Sequence, residues 1–123
     1  MIHINNNRIE AVIIPYYDRK IAFVIIYNKI KKKERIYVIS YNEYEYIEKS
    51  QNKDLLLMTL IMSKVYGGKR NLQEVLVRAG GLFLYEIDKR DPIFIEFISK
   101  IVPNYNTKTD LIKQIIVNRL TTQ

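Results

Sequence analysis

The side chains that carry most enzyme chemistry are scarce in this chain. It has 123 residues, no cysteine and a single histidine, His3, close to the start. Cysteine nucleophiles, thiolate zinc sites, iron–sulfur clusters and disulfides are therefore excluded, and a Ser-His-Asp arrangement would have to use His3. No Walker loop, dinucleotide-binding glycine motif, HExxH motif or calcium loop is present. The sequence predicts no cofactor and favours a protein without enzymatic activity.

One acidic segment keeps an enzymatic alternative open. Glu86, Asp88 and Lys89 are the residue types that a metal-dependent nuclease needs around a phosphate. The competing interpretation is a solvated, charge-balanced loop. It is supported by Asp91-Pro92, the pattern of a helix N-cap followed by proline at the first helical position.

The basic residues are better organised than the acidic ones. The chain has 20 Lys and Arg against 13 Asp and Glu, a formal net charge of +7. Residues 1–40 hold eight of the cations against three acids, a net +5. Most of these cations fall in one short stretch: Lys29, Lys31, Lys32, Lys33 and Arg35. Such clustering indicates a phosphate-binding surface, although lysines at a hairpin tip also protect a sheet edge from aggregation.

Aromatic side chains alternate along the strands that flank this basic stretch. If residues 31–33 form the hairpin loop, Tyr27 lies opposite Tyr37. Phe23, Tyr27 and Tyr37 then share one sheet face with Lys29 and Arg35. An exposed aromatic and basic face would suit stacking on unpaired bases. The alternative is that these rings pack under helices or form a homodimer contact.

A second basic segment lies further along the chain. Lys69 and Arg70 follow Gly67-Gly68 and precede Asn71, where a helix is predicted to start. Backbone N–H groups at a helix N-terminus favour an anion, so both side chains are candidate phosphate contacts. The glycines are equally explained as the end of the preceding helix.

The elements that position these residues follow from two different patterns. Up to Ser40 the apolar residues are β-branched and aromatic and come in runs, which predicts an antiparallel meander. The expected strands are Ile2–Ile4, Arg8–Ile14 ended by Pro15, Ile21–Ile30, Glu34–Ile39 and a later short strand, Leu82–Ile87.

After Ser40 the pattern is mainly helical. Ser40 and Glu43 have the spacing of a capping box, and an almost wholly apolar helix over 52–66 is expected to be buried centrally. The predicted helices are Tyr41–Glu48, 52–66, one from Asn71 to Gly80, one from Asp91 to about Val102, and one from Thr107 or Thr109 to about Leu120.

The fold class that follows is α+β in a single domain, residues 1–123. A meander of three to four strands (residues 1–40) packs against four to five helices in the mainly helical part (residues 41–123). The start has no signal-peptide organisation and no apolar run is long enough to span a membrane, so a cytoplasmic or intracellular location is expected. Enrichment in Ile, Lys, Asn and Tyr, whose codons are A/T-rich, indicates a low-GC genome, a viral one included, and lowers the weight of the lysine count.

The leading functional hypothesis is non-enzymatic nucleic-acid binding, to single strands of DNA or RNA rather than duplex. The basic hairpin with Lys69 and Arg70 would meet the phosphates, and Phe23, Tyr27 and Tyr37 would meet the bases. The alternative is a protein-interaction or homo-oligomeric module, such as a homodimer that uses the aromatic sheet face as its interface. No membrane partner is expected.

Overall fold

The computed structural model describes residues 1–62, 84–106 and 110–121. Five strands in these residues form one antiparallel sheet in which the spatial order is the chain order. The strands are β1 (Ile2–Asn5), β2 (Ile9–Tyr16), β3 (Ile21–Asn28), β4 (Lys33–Ser40) and β5 (Leu84–Ile87). The helices are α1 (Tyr41–Lys49), α2 (Lys53–Met62), α3 (Pro92–Ile101) and α4 (Leu111–Thr121). The predicted α+β class and the N-terminal antiparallel sheet are confirmed; the sheet has five strands, against the three to four expected for the meander.

Strand β2 continues through Pro15, which was expected to end it. Pro15 lies opposite Ala22 of β3 within the regular ladder. The pairing with β1 ends earlier, at Ile13 opposite Ile2. Beyond that point β2 has no second strand neighbour among the described residues, and a missing backbone N–H is tolerated at such an edge.

Helices cover both faces of the sheet, so the sheet is the middle layer. One face, here the α3–α4 face, packs on Phe94, Phe97 and Ile98 of α3 and on Leu111 and Ile115 of α4. Its buried sheet residues are Val12, Ile14, Tyr16, Ile21, Phe23, Ile25, Ile36, Val38 and Ile87.

The opposite, α1–α2 face packs on Tyr44 and Ile47 of α1 and on Leu57 of α2. Its buried sheet residues are Ile2, Ile4, Ile9, Ala11, Ile13, Ala22, Val24, Ile26, Tyr37 and Ile39. Strands β2, β3 and β4 are thus apolar on both sides, which explains why the sequence shows continuous apolar runs there instead of a clean alternation.

Two helix starts follow the capping rules that the sequence displays. The Ser40 hydroxyl oxygen accepts a hydrogen bond from the backbone N–H of Glu43 at 3.2 Å. The Asp91 carboxylate accepts one from the N–H of Ile93 at 2.9 Å, with Pro92 as the first helical residue. In the described ranges only the serine half of the predicted box is seen, and the Glu43 Oε2 atom is buried without a hydrogen-bond partner there. Burial raises the pKa of the Glu43 carboxyl.

Over residues 53–58, helix α2 is exposed on one side, whereas the composition of the predicted helix over 52–66 suggested central burial. Leu57 is fully buried, whereas Leu55 and Met58 are exposed by 66% and 38%. Over residues 53–58 the helix therefore faces the sheet with one side and solvent with the other. The helix predicted from Asn71 to Gly80 and the candidates Lys69 and Arg70 lie outside the described residues. Within the described ranges, no helix has the length and apolarity to cross a membrane.

Candidate nucleic-acid interface

The β3–β4 hairpin has a different register from the one expected. Asn28 pairs with Lys33, so residues 29–32 form the turn. The Asn28 side-chain oxygen accepts hydrogen bonds from the backbone N–H groups of Ile30 and Lys31, at 3.0 and 2.9 Å. An asparagine that bonds the backbone two residues ahead is a strong turn signal. It starts the turn earlier than the lysine run suggested.

This register separates the aromatic residues that were expected to share a face. Tyr27 lies opposite Glu34, and Tyr37 lies opposite Val24, so the predicted Tyr27–Tyr37 pairing is wrong. The offset from the expected pairing is odd, and an odd offset moves every side chain of one strand to the other face. Phe23 and Tyr27 accordingly belong to the α3–α4 face. Tyr37 belongs to the α1–α2 face.

Phe23 does not form a surface for bases or for a second copy of the chain. It is fully buried, and its ring centroid lies 5.2 Å from that of Phe94 and 4.9 Å from that of Phe97. The alternative considered for this residue, packing under helices, is confirmed. Tyr27 is half-buried at the edge of the same cluster. The part of the predicted aromatic face that contains Phe23 is thus interior and covered by α3.

The α1–α2 face is open at its hairpin end and forms a cavity of about 190 Å³, here called the hairpin cavity. Its floor is the apolar sheet surface of Ile9, Ile26 and Tyr37, and Met58 of α2 forms one wall. The polar lining residues are Asn28, Lys31, Lys33 and Arg35. The structure thus joins four of the predicted site residues, Lys31, Lys33, Arg35 and Tyr37, in one place.

The polar groups of the hairpin cavity are almost all hydrogen-bond donors. No carboxylate is among the lining residues. The Asn28 oxygen is used within the turn, which leaves the side-chain NH₂ group of Asn28 to donate. The Arg35 guanidinium contacts the Tyr37 hydroxyl and, from outside the lining, the Glu86 carboxylate, and both raise the pKa of Arg35. The closest Arg35 contact to Glu86 is long, 3.8 Å from Nε to Oε1. Such a lining favours an anionic, acceptor-rich ligand.

Two other hairpin cations have different positions. The Lys29 ammonium donates to the Asn5 side-chain oxygen at 2.6 Å and to the Asn6 carbonyl at 2.7 Å. Lys29 therefore ties the β1–β2 turn to the hairpin and does not line the cavity. Lys32 is exposed at the tip, with a left-handed backbone at φ 55°.

The residues of the nuclease alternative are directed to separate partners. Glu86 contacts Arg35, the Lys89 ammonium lies 2.6 Å from Glu34 Oε1, and Asp88 accepts from the backbone N–H of Arg90 at 2.8 Å. Glu86 and Glu34 lie opposite Tyr37 and Tyr27, hence on opposite sheet faces. Among the residues described, no three metal-ligating side chains are grouped as a metal ion would need.

Four lining residues were absent from the sequence-based set. Asn28 carried a usable signal, because asparagine before a lysine-rich turn is typical of a residue that bonds the turn backbone. Ile9, Ile26 and Met58 carried none, since an apolar residue in a strand or helix looks the same whether it lines a cavity or a closed core. Comparisons of the chain with family models, curated proteins and solved structures return no match.

Proposed function

We propose that the protein binds nucleic acid without catalysis, and that it prefers single strands to duplex. The observation that carries the proposal is the hairpin cavity, in which Lys31, Lys33 and Arg35 stand over an apolar floor with no carboxylate in the lining. Phosphate groups would supply negative charge to pair with these three cations. The apolar floor would suit the face of a base that is not paired in a duplex.

The surroundings of the cavity strengthen the electrostatic part of the proposal. Arg8 adjoins the hairpin, because its carbonyl accepts from the backbone N–H of Lys29 at 2.9 Å. Lys89 and Arg90 follow β5 at this same end of the sheet, since Ile87 pairs with Ile36. The strand ends and turns that carry these residues are here called the basic end. Ion pairs in the described part of the chain leave Arg8, Lys31, Lys32, Lys33 and Arg90 unpaired.

The proposal is tested by fluorescence anisotropy with a labelled single strand and a duplex of equal length, at about 50 mM and about 200 mM salt. We expect binding that weakens with salt and is stronger for the single strand. The double variant Lys31→Gln with Lys33→Gln should lower the slope of log K against log salt by about 1.4, because each single-strand phosphate contact contributes about 0.7.

The matched control removes the same charge from elsewhere. Lys49 and Lys113 are exposed on α1 and α4, so Lys49→Gln with Lys113→Gln has the same net charge as the test variant. We expect this control to keep the wild-type slope. Failure to bind either oligonucleotide at the lower salt would overturn the proposal, as would an equal loss of slope in both double variants.

A further inference from the structure

We infer that the hairpin cavity receives one pyrimidine base of the bound strand, while Lys31 and Lys33 contact the phosphate outside it. The inference rests on the proposed function and deepens it. The sequence-based hypothesis expected several bases to stack on three aromatic rings, whereas the hairpin cavity has room for one base. Phe23 is interior and Tyr27 is on the other face, so Tyr37 is the ring that remains at the site.

The size of the hairpin cavity limits what can enter. Its volume is about 190 Å³. An engineered apolar cavity of about 150 Å³ takes up benzene, whereas pockets for drug-sized ligands measure about 300–1,000 Å³. A single six-membered ring therefore fits, and the larger two-ring system of a purine fits less well.

The lining offers apolar surface for the faces of a pyrimidine ring and a hydrogen-bond donor for its polar edge. Ile9, Ile26 and Tyr37 are each at least nine-tenths buried, so the floor is already held by the core and needs little ordering on binding. Met58 adds a polarizable wall. Asn28 lines the cavity and its side-chain oxygen is used by the turn, so its NH₂ group is the part of this side chain that would donate to a ring carbonyl oxygen.

The positions of the charged residues determine which end of the bound nucleotide enters the cavity. Lys31, Lys33 and Arg35 are exposed side chains of the turn and of the start of β4, whereas the floor residues are buried. The phosphate consequently stays at the solvent side with the cations, and the base points towards the floor. A base that is paired in a duplex is not available for this position, which gives the expected single-strand preference a structural cause.

The test compares three labelled strands of equal length and charge: oligo(dT), oligo(dA) and an abasic strand that carries the same phosphates. We expect oligo(dT) to bind about tenfold more tightly than the abasic strand, the size of one well-placed base contact, and oligo(dA) to lie between them. Met58→Phe fills the cavity from its exposed wall and should reduce the oligo(dT) advantage to less than about twofold. The affinity of the Met58→Phe variant for the abasic strand should equal that of the wild type.

The control variant is Leu55→Phe, which adds the same ring one turn earlier on α2, at an exposed position outside the lining. It should keep the full preference for oligo(dT). Equal binding of oligo(dT) and the abasic strand by the wild type would overturn the inference and leave phosphate binding intact. A preference that survives Met58→Phe would also overturn it, because the base would then be bound elsewhere. Absence of binding by all three strands would overturn the proposed function as well.

Discussion

At the scale of single residues, the hydroxyl of Tyr105, in the segment after α3, is an unusual feature of the protein. The hydroxyl oxygen is buried and has no hydrogen-bond partner in the described ranges. Burial, with smaller contributions from the Glu34 and Asp88 carboxylates, raises the pKa of Tyr105 to about 12. A phenol in an unfolded chain titrates near 10. Between these two values the folded protein keeps a proton that the unfolded chain releases.

This difference predicts how stability changes at alkaline pH. Stability is fully present below pH about 10 and falls as pH rises towards 12, because the unfolded state then binds fewer protons than the folded state. Tyr105→Phe should make this fall shallower and should not destabilise the protein at pH about 7, where an unpaired buried hydroxyl contributes nothing favourable. Urea unfolding at several pH values measures both effects.

The control for this prediction is Tyr46→Phe, which removes an exposed phenol from α1. It should leave the alkaline slope unchanged. The Tyr44 phenol remains in both variants, and burial raises its pKa as well, so some alkaline loss should persist. An unchanged slope in Tyr105→Phe would show that another group causes the loss.

At the scale of elements, short-range signals in the chain predicted the helix starts well. Ser40 and Asp91 cap helices as their spacing indicated, because a cap depends on hydrogen bonds between residues two or three positions apart. The hairpin register was not predicted correctly. The expected three-residue loop over 31–33 is a four-residue turn over 29–32 that Asn28 begins, and an odd shift of register moves a whole strand to the other face. The structure therefore brings Lys31, Lys33 and Arg35 together at one cavity, but with an arrangement of the aromatic rings that differs from the expected one.

The Ser40 cap can be tested by removing its hydroxyl. Ser40 is buried and its oxygen accepts from the Glu43 N–H, so Ser40→Ala leaves a helix N–H without its partner. We expect a loss of about 1 kcal/mol in the free energy of unfolding, measured by urea denaturation followed by circular dichroism.

Ser99→Ala is the matched control for this cap, because the exposed Ser99 hydroxyl donates to the Glu96 carbonyl inside α3 and caps no helix start. Its cost should stay below about 0.5 kcal/mol. Equal losses in the two variants would show that the Ser40 hydroxyl contributes no specific capping energy.

At the scale of the whole molecule, two helical layers share one sheet. The sequence predicted that strands come first and helices follow, but not which face each helix covers. Strands β2 to β4 are apolar on both sides, so their pattern does not distinguish a one-sided from a two-sided packing. The hairpin cavity could not be predicted either, because it forms where α2 meets the open end of the α1–α2 face. That contact joins parts of the chain that are distant in sequence.

A shared sheet predicts that the two cores unfold together. Phe94→Ala on the α3–α4 side should cost about 3–5 kcal/mol, and Leu57→Ala on the α1–α2 side about 2–5 kcal/mol. Both residues are fully buried. In each variant, urea transitions followed by circular dichroism and by tyrosine fluorescence should coincide. Two separate transitions in either variant would show that the layers are energetically independent.

The order of the strands in the sheet has a consequence for how the fold assembles. Each of the first three strands pairs with the strand that follows it in the chain across a turn of only a few residues, whereas α1 and α2 both lie between β4 and its partner β5. The entropy lost in closing a loop grows with its length, by about 0.6 kcal/mol for each doubling. The search that brings β5 to β4 is therefore the most demanding strand pairing in the sheet. It is also the pairing that places Lys89 and Arg90 at the basic end, so that end is complete only once the slowest contact has formed.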